Sequence, residues 1–362
     1  MGPAQQPHSI FVLSARGRIS APAQCCVNEF EDVLADTIGA TLVCPGNALE
    51  SVAFVERVPA GPADLFVVGL TIAHVVETLK RARGWRRRFR RVYAYVFDSI
   101  FPSSEIERSA FRRSFSRFSR TVSALDHLFL SCRSAVEIGA LCYGIPVSYV
   151  PLAADVEKFG SMQPSRPITV NAYGRQQTAH LQVLADAYNR NDTDRSVHFT
   201  SHLSGMVIAD PVRHRAFFWK MLAMSRIALA YDILQVGGGR KLPYTFVGQR
   251  WFESLAAGCV VVGYRPKCAE AEELLNWPDA TIESPEEPAA FLRFIENLLA
   301  DHSRLDAIRV SNYCNMAAAH DWGHRIELML QALELEPADA LRRRILRLER
   351  LARSSAAETL AA

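Results

Sequence analysis

The chain has 362 residues, of which 49% are hydrophobic and 22% charged, and its formal net charge is +3. These values lie in the ordinary globular range and allow two domains of usual size. They exclude a chain that crosses a membrane by a long apolar helix, because no run of about eighteen uninterrupted apolar residues occurs. The opening MGPAQQPHSIFVLSARGR lacks the cationic head and cleavage pattern of a secretion signal, so a cytoplasmic protein is expected, at most peripheral to the inner face of the membrane.

The eight cysteines are scattered, with no C-x-x-C pair and no zinc-type Cys/His spacing, and are read as small buried thiols in a reducing compartment. The small net charge hides an uneven distribution. RARGWRRRFRR (81–91) holds seven arginines and FRRSFSRFSR (111–120) four more, giving the first half a basic surface suited to phosphate, nucleic acid or anionic lipid.

In chain order, SIFVLSA reads as a buried strand, CVNEFEDVLADTIG as a helix and ATLVCPG as a strand. DLFVVGL, IAHVVETLKRARGW and RVYAYVFDS repeat strand, helix, strand. A helix over SEIERSAFRRSFSRFSRTVSAL, the strand DHLFLSC, the helix SAVEIGALCYG and the segment IPVSYVPLAAD complete one α/β unit with a largely parallel sheet. FGSMQPSRP (159–167) breaks the pattern. The alternation then restarts with ITVNAYG, HLQVLADAYNR, VHFTS, AFFWKMLAMS, RIALAYD, VGQRWFESLAAG, CVVVGY and TIES, and closes in helices PEEPAAFLRFIENLLADH and DWGHRIELMLQALEL. The last helix, ADALRRRILRLERLARSS, carries an apolar stripe among arginines. Packing on the body or on a second subunit is favoured over membrane contact.

Two α/β units imply a ligand site beyond the carboxyl ends of their strands. VGGGRKLPYTF (236–246) offers Gly238, Arg240 and Lys241 to a phosphate, or is a plain surface loop. Arg250 and Glu253 share one face in the first turns of a helix that Gly258 can end, so Glu253 either complements the helix dipole or accepts ligand hydroxyls. A carboxylate with cations nearby suits vicinal hydroxyls plus phosphates, the chemistry of a sugar nucleotide.

RWFESLAAGCVVVG, with the following proline and the run EAEELL, resembles the donor-site segment of GT-B glycosyltransferases of the glycosyl transferases group 1 type. VPLAADVEKF, NAYGRQ and HDWGHRIELML resemble further family segments in the family's order. The resemblance implies two Rossmann-like domains facing a cleft, an acceptor domain at 1–157, a donor domain at 166–335 and a terminal helix and tail at 336–362. It implies that Glu253 holds the ribose hydroxyls and that Gly174 and Arg175 belong to the diphosphate loop, with Arg240, Lys241 or Arg250 adding a cation. The family's first motif glutamate falls at Thr245, a departure that leaves the sugar contact and the stereochemical outcome open.

Asp98, at the end of VYAYVFD, is read as orienting or deprotonating the acceptor hydroxyl, or as a loop cap. His74 and His127 are read as satisfied core or cap histidines. Asp192 and Asp194 lie in a polar turn and do not form a metal motif, so transfer without a metal or other cofactor is expected. Glu253→Ala is then expected to lose sugar-nucleotide binding with the fold intact. The acceptor is a glycan, a lipid-linked or a small molecule; docking of Arg81–Arg91 on an anionic membrane and a homodimer are kept open. The alternatives are an epimerase or hydrolase of the same fold, and a basic anion- or nucleic-acid-binding protein; base-stacking aromatics are not evident, which counts against nucleic acid.

Overall fold

In the computed structural model, residues 9–99, 118–190, 192–200, 207–236 and 244–361 are described, with side chains through residue 354. The chain divides into two compact units. The first holds residues 1–151, 207–209 and 325–344, and the second 152–206, 210–324 and 345–362. The segment expected to close the donor domain, DWGHRIELML, is therefore divided, with its residues from Arg325 onward assigned to the first unit.

The first unit is built on six parallel strands, β1 (Ser9–Leu13), β2 (Thr41–Val43), β3 (Ala63–Gly69), β4 (Arg91–Val96), β5 (His127–Leu130) and β6 (Val147–Tyr149). Their spatial order is β2-β1-β3-β4-β5-β6. Every residue of β3, ADLFVVG, is buried. A strand covered on both faces needs a continuous apolar run, which is why this segment does not alternate. The order reverses at β1, whose neighbours are β2 on one side and β3 on the other, so the loops after β1 and β3 part to opposite faces and leave a crevice at their carboxyl ends. Phe30, on the helix Gln24–Ile38, packs edge-on against Tyr95 of β4 at 5.1 Å.

The second unit repeats the scheme with β7 (Ile168–Tyr173), β8 (Val197–Thr200), β9 (Ser225–Tyr231), β10 (Val260–Tyr264) and β11 (Ile282–Glu283), all parallel, in the order β11-β10-β9-β7-β8. Its core joins Val170, Leu229, Val260 and Val262 to Leu184 of the helix Thr178–Tyr188 and to Phe291 and Ile295 of the helix Pro288–Ala300. Here the order reverses at β7, between β8 and β9, which places the loops after β7 and β9 at the second crevice. Arg166, from the Pro- and Ser-rich break, is buried and donates to the carbonyls of Ser161, Ser225 and Ala257 at 3.1, 2.7 and 2.8 Å. That segment is a fixed buttress and not a loose tether.

The strands fall where the apolar runs predict. The reading by periodicity passes over the helices Ala48–Arg57 and His302–Ala319, of which the second carries no strong apolar stripe. Most of the helix expected over 104–125 lies outside the described residues. Leu341 and Leu348 of the helix Asp339–Ala361 are fully buried, so its apolar stripe packs on the body. No helix among the described residues is long and apolar enough to cross a membrane.

Candidate functional site

The carboxyl end of β7 delivers Tyr173, Gly174 and Arg175 to the second crevice. Gly174 has φ +69°, a left-handed conformation, and a Cβ there would stand 2.6 Å from Nη2 of Arg250. The turn therefore favours glycine, and a larger residue would also push the guanidinium aside. Gln176 Nε2 donates to the Tyr173 carbonyl at 2.8 Å and pins the turn.

Arg250 comes from the helix Gln249–Ala256, which starts after the extended Gly248 and ends at Gly258, φ +66°. Gly258 could not be replaced, since a Cβ would lie 2.6 Å from the Ser161 carbonyl. The Arg250 guanidinium lies 5.7 Å from the centre of the Tyr173 ring. Its Nε is buried without a hydrogen-bond partner, and no carboxylate lies within ion-pair distance of it among the described residues. Burial above all, and then the Arg175 charge, push its pKa below the ordinary arginine value while Tyr173 opposes them. The side chain stays cationic even so, because arginine is not deprotonated in proteins. Arg175 itself is exposed.

Glu253, one turn on, is 3% exposed. Its Oε1 accepts from Nη2 of Arg215 at 2.6 Å, in an ion pair whose two side chains are both less than a tenth exposed. Tyr173 donates its hydroxyl to the Arg250 carbonyl at 3.0 Å and lies 3.4 Å from Glu253 Oε2. Burial, then the Glu253 charge, raise the Tyr173 pKa well above its usual value, so this hydroxyl stays protonated and donates. Arg215, on the helix Pro211–Ala223, is stacked over Phe218 at 4.3 Å and Trp219 at 5.3 Å. Glu253 is therefore a carboxylate oriented by a cation and not a lone acid at a helix start.

Thr245 is buried and donates its hydroxyl to Oδ1 of Asp232, the residue that follows β9. Asp232 also caps Leu234, accepting from its N–H at 3.2 Å. Where the family resemblance places a glutamate, this chain has a threonine hydrogen-bonded to an aspartate from the neighbouring loop. Gly238, Arg240 and Lys241 lie outside the described residues.

Asp98 belongs to the first unit. It is exposed two residues beyond β4, and its backbone N–H donates to the Leu70 carbonyl at 2.6 Å. His127 is a core histidine, with Nε2 2.9 Å from Ser148 Oγ and its ring stacked on Phe129 at 4.5 Å. His74 differs from expectation, since its Nδ1 is buried without a partner. Asp192 pairs with Arg190 at 2.6 Å on the surface.

Tyr173, Gly174, Arg250 and Glu253 thus form one cluster. Sequence reading missed Arg215 and Asp232. Asp232 could have been found as the polar residue ending the strand IALAY, the place where α/β sheets carry ligands. Arg215 carries only a weak signal, one of two arginines in PVRHRAFFWK, three and four residues before Phe218 and Trp219.

A parallel sheet in each unit, with a cation cluster at the second switch point, is the architecture of the GT-B class. Residues 175–331 match the family model described as Glycosyl transferase-like. No curated protein matches the sequence. Among solved structures, Anabaena HepE in complex with UDP-glucose is similar at 11% identity and a TM-score of 0.55, over 90% of this chain and 99% of that one. The same protein in complex with UDP gives 10% identity and a TM-score of 0.52 over the same shares. A TarM variant from S. aureus, in complex with Fondaparinux, alpha-GlcNAc-glycerol and UDP, is 8% identical with a TM-score of 0.50, over 79% of this chain and 58% of that one. At these identities the structures establish the fold, that of GT-B proteins, and the family match adds that residues 175–331 resemble glycosyl transferases.

Proposed function

We propose that the protein transfers a sugar from a nucleoside diphosphate sugar to an acceptor hydroxyl, with the donor held in the second unit. One observation carries this reading. The Arg250 guanidinium is held against Gly174, next to Arg175, with no anionic partner of its own among the described residues. A cation fixed in low-dielectric surroundings suits charge that develops as the diphosphate departs, and losing one such contact costs about 3 kcal/mol of barrier. Glu253, aligned by Arg215, is assigned to the ribose hydroxyls. Asp98 is assigned to the acceptor hydroxyl as base or orienting group, and transfer is proposed to run without a metal. The structures of HepE with UDP and UDP-glucose support a uridine diphosphate donor.

The acceptor class remains a glycan, a lipid-linked sugar or a small molecule. A lipid-linked acceptor is favoured by the basic surface of the first unit. Arg81, Arg86 and Arg90 are paired with Glu77, Asp126 and Asp64. Lys80, Arg87 and Arg120 have no such partner among the described residues and line a cavity of about 430 Å³ beside Trp85. Peripheral docking on anionic lipid follows, and should weaken steeply with salt.

The test is calorimetric titration with UDP, GDP and UDP-glucose, paired with turnover with and without added acceptor. Binding of UDP by the wild type and its loss by roughly tenfold or more in Arg250→Gln is the expected result. Equal UDP affinity in the two proteins would remove the donor assignment, and donor turnover without acceptor would favour the hydrolase or epimerase reading.

A further inference from the structure

The switch point of the first sheet carries a second polar cluster. Ser14 follows β1 directly and donates its hydroxyl to Glu31 Oε2 at 2.5 Å. Arg16 Nε donates to the same oxygen at 3.0 Å and its Nη1 pairs with Asp32 at 2.7 Å, so the Arg16 charge is neutralised. Arg18 is different. Among the described residues its Nη2 donates to neutral acceptors, the Ser14 carbonyl and Thr78 Oγ1, each at 3.2 Å. Its Nε is buried without a partner, and no carboxylate of a described residue lies within ion-pair distance of it.

Thr78 lies on the helix Ile72–Arg81 that follows β3, the other strand of the switch point. His74 stands one turn before Thr78 on the same helix face, and its Nδ1 is likewise buried and unpartnered. On the other side, the Oε1 of fully buried Glu31 and the Oε1 of Gln24, two turns earlier on the helix Gln24–Ile38, have no partner either. Orphaned buried polar atoms are few in a native interior. Four of them lie here on the residues flanking one crevice, and both loops come from the strands where the sheet order reverses.

The complement of this set can be read off. An uncompensated guanidinium calls for an anion, the imidazole, whose pKa burial lowers so that it stays neutral, calls for a hydrogen-bond partner, and two carboxyl- or amide-type oxygens call for hydroxyl donors. We propose that this crevice binds a hydroxylated anion, a sugar phosphate or sugar acid, and that the anion is the acceptor's recognition group. Arg18 binds its charge, His74 supports that contact, and Glu31 and Gln24 accept its hydroxyls. The acceptor role rests on the transferase reading above; the binding of the anion does not.

The test uses the full-length chain and four probes in calorimetric titration: glucose 6-phosphate, glucuronate, glucose and UDP. Glucose 6-phosphate or glucuronate is expected to bind at least roughly tenfold more tightly than glucose, and the pair of probes separates a phosphate from a carboxylate requirement. Arg18→Gln should remove that preference while leaving UDP affinity unchanged, and Arg18→Lys should restore part of it. His74→Ala, on a helix face that tolerates alanine, should weaken the anionic probe severalfold and serves if Arg18→Gln does not fold. Anionic probes that bind no better than glucose, or bind the same in wild type and both variants, overturn the proposal. If UDP does not bind while glucose 6-phosphate binds in an Arg18-dependent way, the donor reading fails and the anion site stands.

Discussion

Replacing Glu253 by alanine tests whether this carboxylate is structural, ligand-binding or both. In the folded protein its Oε1 is 2.6 Å from Arg215 Nη2, and the two side chains are 4% and 8% exposed. Truncating one partner leaves the guanidinium buried without its counter-charge, which costs about 3–5 kcal/mol. A unit of this size shifts by roughly 2–4 °C per kcal/mol, so the melting transition should fall by on the order of 10 °C. The sequence-based expectation that Glu253→Ala leaves the fold intact is therefore revised. The control is the double variant Arg215→Met/Glu253→Met, which replaces the pair by apolar groups of similar volume and should recover to within about 1 kcal/mol of wild type. Urea unfolding followed by tryptophan fluorescence is a suitable assay, since Trp219 lies against Arg215. If Glu253→Ala unfolds at the wild-type urea concentration, the buried-pair argument is wrong. Should the stable double variant still bind UDP normally, Glu253 has no share in holding the ribose.

Gly174→Ala should strain the left-handed turn by about 1–2 kcal/mol and displace the Arg250 guanidinium, lowering UDP affinity roughly tenfold by calorimetry; unchanged affinity would separate Arg250 from the diphosphate. Burial pushes the Glu31 carboxyl up to about 7, against the Arg16 charge and the Ser14 hydrogen bond. With its folded pKa above the unfolded value, Glu31 contributes stability that is fully present below about pH 4.5 and is lost as pH rises through 7, about 3 kcal/mol in all. Glu31→Gln should remove that slope, which urea curves at pH 5 and pH 8 would show. Asn312 is fully buried, accepting from Trp277 Nε1 at 2.8 Å and donating to the Cys259 carbonyl at 2.9 Å, so Asn312→Ala should cost about 2–4 kcal/mol by orphaning both. A loss below about 1 kcal/mol in the same unfolding assay would mean that both groups find other partners.

The strands were legible because a parallel sheet buried on both faces demands apolar runs, as in the LFVV of β3 and the VVV of β10. The helix His302–Ala319, with its weak apolar stripe, was not, and the short helix Ala48–Arg57 was passed over although it announces itself chemically. The Asn47 side chain accepts from the Glu50 N–H at 3.0 Å, and the Glu50 carboxylate accepts from Gly46 N–H and Asn47 Nδ2 at 2.8 and 2.6 Å. That Asn-x-x-Glu pattern is a helix-start signal independent of periodicity. Of the site, Gly174, Arg250 and Glu253 were legible from spacing along one helix and from family resemblance. Arg215 was not, because an ion pair between residues 38 positions apart leaves no local trace. Asp232 with Thr245, and Arg18 with His74, are likewise products of strand order, which a one-dimensional pattern does not reveal.

The return of residues 325–344 to the first unit matters for how the protein is made. Ile326, Met329, Leu330 and Leu341 in that returning stretch are almost wholly buried. A ribosome that has finished the six strands of the first sheet has not yet supplied this part of the first unit, and must first synthesise nearly all of the second unit, tens of seconds of elongation. Neither half is a cassette that can be cut out at the break near residue 160. A fragment ending there would lack these buried residues and is expected to aggregate, so any exchange of halves with another protein of this fold would have to carry residues 325–344 with the first.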